Sequence, residues 1–151
     1  MNLFAITPRH LSRVESSFAT TPNEQTTVDD FTATRHRCGM MIYKIFRADE
    51  WRVLQAQGNT AGAPIDLADG YIHFSTASQA QETADKHFRG IEGLFLAAVD
   101  IKALDNGLVW EVSRGGAKFP HLFARLRISD IVWCVPLPLV EGRHQFPNQM
   151  V

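Results

Sequence analysis

The apolar runs of this chain are short, and turn-forming residues separate them. The longest, at residues 94–99 and 131–135, fall far below the roughly 20 residues that a membrane-spanning helix needs. Other runs alternate apolar and polar residues in the two-residue period of a half-buried strand, and two stretches carry helix caps and a helical period. The pattern predicts an α+β fold of five or six strands and two helices, and not a doubly wound sheet.

The composition of the chain changes near residue 40. Residues 1–40 are rich in Thr, Ser, Asn and Arg and sustain no period, so we expect a disordered segment or a misannotated N-terminal extension, with the domain starting at Met40 or Met41. Residues 41–140 carry the regular pattern and are predicted to form the domain. Residues 141–151 are expected to be a frayed C-terminal tail.

Capping and turn residues set the expected element boundaries. Asp49 is expected to cap a helix over residues 50–57, and Thr76 or Ser78 a helix reaching about residue 88, since each of the latter two has Gln three positions later. The remaining runs are expected to be strands, with residues 94–99 as a central strand covered on both faces. The predicted strands are residues 42–46, 71–75, 94–99, 108–112, 121–128 and 131–135.

Charge and cysteine content limit the classes of partner. The 151 residues carry a net charge of -1, which gives no strong signal for nucleic acid and none for a membrane surface. Cys38 and Cys134 lie far apart in sequence and are expected to be free thiols in a reducing compartment. We therefore expect a soluble, cytoplasmic protein.

The segment 71–75 places proton-handling side chains in one row. The strand period puts Tyr71, His73 and Ser75 on one face and Ile72 and Phe74 on the other. His73 is therefore the first candidate catalytic residue, with the hydroxyl groups of Ser75 and Thr76 as substrate contacts. The alternative is the ordinary solvent face of a strand.

Glu111 and a basic segment complete the candidate site. Glu111 lies among apolar residues, so its carboxylate needs a partner or has a raised pKa; it is either catalytic or paired with an Arg across the sheet. Between Glu111 and Asp130 the charged residues are all basic, and Gly115-Gly116 allows a ligand to approach the backbone. His121 is a candidate catalytic residue, and a small anionic or nucleotide-like ligand is expected at the basic residues Arg114, Arg125 and Arg127. The alternative is a solvated basic edge.

Other chemistries fit the sequence less well. No H-E-x-x-H motif or Cys/His cluster is present, so zinc would need His73, His121 and Glu111 to converge, and no metal is predicted. The chain also lacks a G-x-S-x-G motif, a P-loop and a dinucleotide-binding G-x-G-x-x-G.

Taken in order, these motifs resemble the bacterial family called domain of unknown function 952 (DUF952). The resemblance extends over most of residues 41–135 and rests on Ile42-Tyr43-Lys44-Ile45, Asp69-Gly70-Tyr71-Ile72-His73-Phe74-Ser75-Thr76, the helix with Gln79, Thr83 and Phe88, Leu94 to Asp100, Trp110-Glu111 and Phe119-Pro120-His121-Leu122-Phe123. The resemblance implies the ADP-ribosyltransferase-like fold, with a small, split, mostly antiparallel mixed sheet.

The same resemblance implies positions for the site residues. In transferases of that fold an opening-strand His, a stacking Tyr and a late Glu contact NAD, and these fall on Lys44, on His73 and near His121. All three identities differ from those of the usual transferase. Lys44 is expected to contact substrate. The NAD-dependent RNA 2'-phosphotransferases, which use His and Arg around a phosphate, are the nearer analogy.

Three hypotheses follow from these observations. The first is an enzyme that uses NAD or a nucleotide, of transferase type, and NAD is its expected cofactor or substrate. The second is a non-catalytic module that binds a nucleotide or small anion. The third is a protein-interaction domain whose aromatic residues Trp51, Trp110 and Phe123 face another chain.

Overall fold

The computed structural model describes residues 39–104, 107–113 and 115–151. The predictions for residues 1–38 and for Arg114 therefore lie outside the described residues. In chain order the elements are β1 (Met41–Phe46), α1 (Ala48–Gln57), β2 (Asn59–Thr60), α2 (Pro64–Asp69), β3 (Ile72–His73), α3 (Ala77–His87), β4 (Leu94–Asp100), β5 (Leu108–Val112), β6 (Lys118–Leu122), β7 (Leu126–Arg127), β8 (Ile131–Leu137), β9 (Leu139–Val140) and β10 (Arg143–His144).

One antiparallel sheet has the strand order β1-β4-β8. Its central strand β4 is buried along most of its length, as predicted for residues 94–99. Since side chains alternate across a strand, β1 and β4 contribute to a separate core on each face. One core includes Phe46 and Val99 and packs against α1; the other includes Tyr43 and Leu96 and packs against α3.

A second antiparallel sheet has the order β3-β6-β5. It meets the first sheet where Tyr43 of β1 and Ser75 exchange backbone hydrogen bonds of 2.8 and 2.9 Å. The strands are thus divided between two small sheets, and every strand pair in the described part of the chain is antiparallel rather than mixed as expected. The α+β class is confirmed.

The prediction of two helices is wrong, because α2 forms within the segment expected to be a loop. Pro64 occupies its first turn and Gly70 ends it with a left-handed φ of 83°. Ile65 and Leu67 are exposed, and Asp66 is the buried residue of this helix. No amphipathic period therefore marked it in the sequence.

Capping was predicted correctly for one of the other two helices. Thr76 is the N-cap of α3, and the side chain of Gln79 accepts a hydrogen bond from its backbone N–H at 3.1 Å. The cap expected at Asp49 is wrong. Helix α1 begins after Arg47, whose N–H donates to Glu50 at 2.9 Å, so Glu50 closes the first turn.

The strand predicted over residues 121–128 is also wrong. Strand β6 ends at Leu122, and β7 pairs with β2 in another sheet. Leu122 and Leu126 are buried, whereas Ala124 and Ile128, which alternation would place on the same face, are exposed. The chain changes partner strands here, so the apparent alternation does not define one continuous face.

The chain stays ordered beyond the expected strand end at Val135. Pro136 is accommodated in β8 because, among the described strands, β8 lies at the sheet edge and none pairs with the side where Pro136 lacks an N–H. The expected frayed tail is wrong for residues 141–151: β10 pairs with β9, buried His144 contacts the Ile91 carbonyl at 2.8 Å, and the Tyr43 hydroxyl contacts the Val151 backbone. Among the described residues, none of the helices combines the length and apolarity required to cross a membrane.

Candidate functional site

Two histidines lie side by side on adjacent strands of the β3-β6-β5 sheet. His73 and His121 are register partners, and their ring centroids lie 5.1 Å apart. The adjacent Ile72 and Leu122 are buried in the core, so the two-residue period turns both imidazoles to the opposite face. The strand phase predicted for Ile72 and His73 is confirmed. We call His73 and His121 the histidine pair.

Tyr71 packs against both members of the histidine pair. Its ring is stacked on His121 at 4.2 Å between centroids and is tilted toward His73 at 4.7 Å. Burial raises the pKa of the Tyr71 hydroxyl, and the carboxylates of Asp69, Glu111 and Asp66 raise it further. The hydroxyl is therefore protonated at neutral pH, and the ring contacts both imidazoles.

Asp66 of α2 orients His73. Oδ1 of Asp66 lies 2.6 Å from the His73 Nδ1 atom and accepts the His73 backbone N–H at 3.0 Å. Burial raises the pKa of Asp66, but the hydrogen bonds from His73 and the charge of Lys44 outweigh it and lower that pKa to about 2. Because Asp66 is ionised, Nδ1 is the donor. The other ring nitrogen, Nε2, lies 3.3 Å from Asp69.

The second oxygen of Asp66 faces β1. It lies 2.6 Å from the Lys44 Nζ atom and accepts the Ala63 N–H at 2.7 Å. Gly62 approaches so closely that a Cβ there would lie 2.4 Å from the Asp66 Cβ, and its φ is 105°. Only glycine fits beside this carboxylate, so the turn before α2 is part of the site.

Glu111 of β5 orients His121. Its Oε2 lies 2.6 Å from the His121 Nδ1 atom, and its side chain is 44% exposed. Among the described residues, Glu111 is paired across the sheet with a histidine and not with an Arg. Each imidazole thus has a carboxylate at Nδ1, which holds the ring orientation and directs Nε2 elsewhere.

The remaining candidate residues either lie apart from the histidine pair or fall outside the described residues. Lys44 reaches it only through Asp66, and its Nζ atom is buried. Ser75 is buried with its hydroxyl 2.9 Å from that of Thr83 in α3, and the Thr76 hydroxyl contacts Ser78. Arg114 lies outside the described residues.

Arg125 and Arg127 line a hollow of about 480 Å³, together with Asn59, Leu104, Leu122, Ala124 and Asp130. The Nε atom of Arg125 donates to Asn59 at 2.6 Å, and that of Arg127 donates to Asp130 at 3.0 Å. A second hollow of about 260 Å³ shares Leu122, Ala124 and Arg125 with the first and is lined further by Ala61, Asp66, Leu67, Gly70, Tyr71, Ile72 and Phe123. Tyr71 connects the second hollow to the histidine pair.

Two further expectations concern metals and aromatic residues. Within residues 39–104, 107–113 and 115–151, no three His, Cys, Asp or Glu side chains converge to hold a metal ion. Of the aromatic residues considered for partner binding, Trp51 and Trp110 pack against the core, whereas Phe123 is 50% exposed.

Sequence reasoning missed Asp66 and Asp69 and did not assign a role to Tyr71. Lys44 carried a usable signal, because a cation on a strand whose other residues are apolar needs a buried counter-charge. The carboxylate that supplies this counter-charge is Asp66 of α2, and no helical period in the sequence predicted that helix. Tyr71 shares the strand face of His73, so its position could be inferred, but its stacking on His121 depends on the pairing of β3 with β6.

Comparison with known proteins places this site in a family. No curated protein is significantly similar to the chain. The crystal structure of protein CC0527 from Caulobacter crescentus is similar, with 48% identity, a TM-score of 0.67, and coverage of 70% of this chain and 93% of that chain. The solution NMR structure of CC0527 gives 47% identity, a TM-score of 0.63, and coverage of 70% and 90%. Residues 45–134 match the family described as "Protein of unknown function (DUF952)", and the chain belongs to that family.

Proposed function

We propose that this protein is an enzyme in which the histidine pair exchanges protons with a nucleotide-like substrate. The observation that carries the proposal is the repeated arrangement of an imidazole with a carboxylate 2.6 Å from its Nδ1 atom, at His73 with Asp66 and at His121 with Glu111. A carboxylate at one ring nitrogen is how many enzymes orient a histidine that acts as a general acid or base through the other nitrogen. Two such imidazoles 5.1 Å apart can serve as base and acid in one reaction.

The reaction class proposed is group transfer from NAD, on an ADP-ribosyltransferase-like fold. This part of the proposal is supported by the resemblance of the strand and helix motifs to that fold, and it is an analogy. With water as acceptor, the bond between the ribose C1' atom and the nicotinamide nitrogen breaks, its electron pair leaves with nicotinamide, and a C1'–oxygen bond forms. The proton lost by water passes to an imidazole Nε2 atom.

The test is to incubate the protein with NAD and measure released nicotinamide by chromatography. The wild type is expected to release nicotinamide, and His73→Ala to release it roughly 10²-fold more slowly, the usual contribution of a general acid or base. His87→Ala is the matched control, because His87 is exposed at the end of α3. Equal release by wild type and His73→Ala, or none by either, contradicts the transferase proposal.

The second candidate is a binding module without catalysis. The contact of 3.3 Å between the His73 Nε2 atom and Asp69 favours it, because this carboxylate occupies the nitrogen that a substrate would need. A thermal-shift screen with nucleotides and phosphorylated metabolites identifies ligands under either candidate, since binding to the native state raises the melting temperature whatever the chemistry. Analysis of the recovered ligand then separates the two candidates. A ligand that stabilises the protein and is recovered unchanged supports the binding module.

A further inference from the structure

The smaller hollow has an aromatic and apolar wall next to the histidine pair. The rings of Tyr71 and Phe123 lie 5.0 Å apart between centroids, and both residues line this hollow. Phe123 is 50% exposed and Leu67, on the same hollow, is 62% exposed. Large apolar side chains exposed in a concave place are typical of a surface that receives a flat or apolar ligand group.

The cation between the two hollows is held in place by an amide and not by an acid. Arg125 lines both hollows, and Asn59 accepts from its Nε atom at 2.6 Å. The carboxylates that line the hollows have other partners: Asp66 pairs with Lys44, and Asp130 with Arg127. Within the described ranges, no carboxylate pairs with Arg125, so its guanidinium charge is available to an anion.

We propose that these two hollows bind a nucleoside monophosphate group, with the base against Phe123 and the phosphate on Arg125. Stacking of a base on an aromatic ring tolerates any base, and a guanidinium oriented through Nε presents its terminal N–H groups to phosphate oxygens. Tyr71, which lines the smaller hollow and contacts both imidazoles, places the bound group beside the histidine pair. Binding of the nucleoside monophosphate group does not depend on the proposed function; only the reaction after binding does. The inference specifies which part of the nucleotide-like substrate the hollows bind.

Calorimetric titration with adenosine 5'-monophosphate, adenosine and inorganic phosphate tests the inference. The nucleotide is expected to bind more tightly than either of the other two probes. Arg125→Ala is expected to weaken nucleotide binding roughly tenfold or more and to leave adenosine binding unchanged. Phe123→Leu is expected to weaken both roughly tenfold, and Phe123→Tyr to retain them, because stacking requires a ring.

The exposed Arg143 in β10 provides the matched control, since it lines neither hollow. Arg143→Ala is expected to bind the nucleotide as the wild type does. The inference is overturned if wild type does not bind the nucleotide, or if Arg125→Ala and Arg143→Ala bind it equally.

Failure of this inference is distinguishable from failure of the proposed function. Nicotinamide release by wild type without nucleotide binding at Arg125 contradicts the hollow as the binding place and leaves the histidine pair as the catalytic site. Nucleotide binding with the expected dependence on Arg125 and Phe123, but without nicotinamide release, supports the binding place and contradicts the transferase.

Discussion

The Nζ atom of Lys44 lies 2.6 Å from the Oδ2 atom of Asp66, and both side chains are almost completely buried. The same carboxylate contacts the Nδ1 atom of His73 through its other oxygen. A single acid therefore connects β1, the short helix α2 and the histidine pair. Removing either charge of the buried pair is expected to affect the fold and the candidate site together.

Lys44→Met is expected to lower the free energy of unfolding by about 3–5 kcal/mol, because it leaves a buried carboxylate without its cation. Chemical denaturation at neutral pH measures the change. Lys86→Met is the matched control: Lys86 pairs with Glu82 on the exposed face of α3, and such pairs contribute about 0–1 kcal/mol. Equal losses in the two variants would show that burial of the Lys44 pair does not matter to stability.

Acid is expected to weaken the fold through Asp66. Its folded-state pKa of about 2 lies below its ordinary value of 3.8, so its contribution to stability is complete above about pH 4 and is lost as the pH falls through about 2. The difference between the two pKa values corresponds to about 2 kcal/mol. Wild type should therefore lose that much stability relative to Asp66→Asn between pH 5 and pH 2.

Asp49→Asn provides the reference for this acid titration, because Asp49 is exposed in the first turn of α1. Because it retains Asp66, Asp49→Asn is expected to lose as much stability relative to Asp66→Asn between pH 5 and pH 2 as wild type does. A gap between wild type and Asp66→Asn that does not change with pH would contradict a lowered Asp66 pKa.

Local patterns predicted the parts of the fold that depend on neighbours in sequence. The apolar run 94–99 is the central strand β4, and Thr76 with Gln79 caps α3, as the sequence indicated. The strand predicted at residues 121–128 failed because the partner strand changes after Leu122. Such a change is a property of tertiary pairing, which no short sequence pattern contains.

In the candidate site, too, local sequence patterns predicted some features, whereas others depend on tertiary pairing. The face shared by Tyr71 and His73 follows from the strand period, whereas their contact with His121 depends on the pairing of β3 with β6. Asp66 lies on a helix too short to carry an amphipathic pattern. Of its two side-chain partners, Lys44 lies on β1, far from Asp66 in sequence, and His73 lies on β3, after the turn that ends α2. The sequence therefore predicted the strand face that His73 occupies, but not the acid that orients its ring.

Glu111→Ala is expected to change the tautomer of the His121 ring without unfolding the protein. The partner of one ring nitrogen sets which nitrogen carries the proton, and Glu111 is the described partner of the His121 Nδ1 atom. Imidazole nitrogen NMR should show a change in the tautomer of His121 in Glu111→Ala and none in Glu92→Ala, because the Glu92 side chain is exposed in the loop between α3 and β4. Identical His121 nitrogen shifts in both variants would contradict the orienting role.

Cys134 is expected to react slowly with thiol reagents in the native protein. Burial raises the pKa of its thiol to about 12, so at pH 8 only about one molecule in 10⁴ carries the reactive thiolate. In a Cys38→Ser background, an aromatic disulfide reagent should label Cys134 fully after denaturation and far more slowly before it. Val132→Cys, introduced with Cys134→Ser, supplies the exposed reference on the same strand, because Val132 is 54% exposed. Native-state labelling of Cys134 as fast as this reference would show that β8 does not shield the thiol.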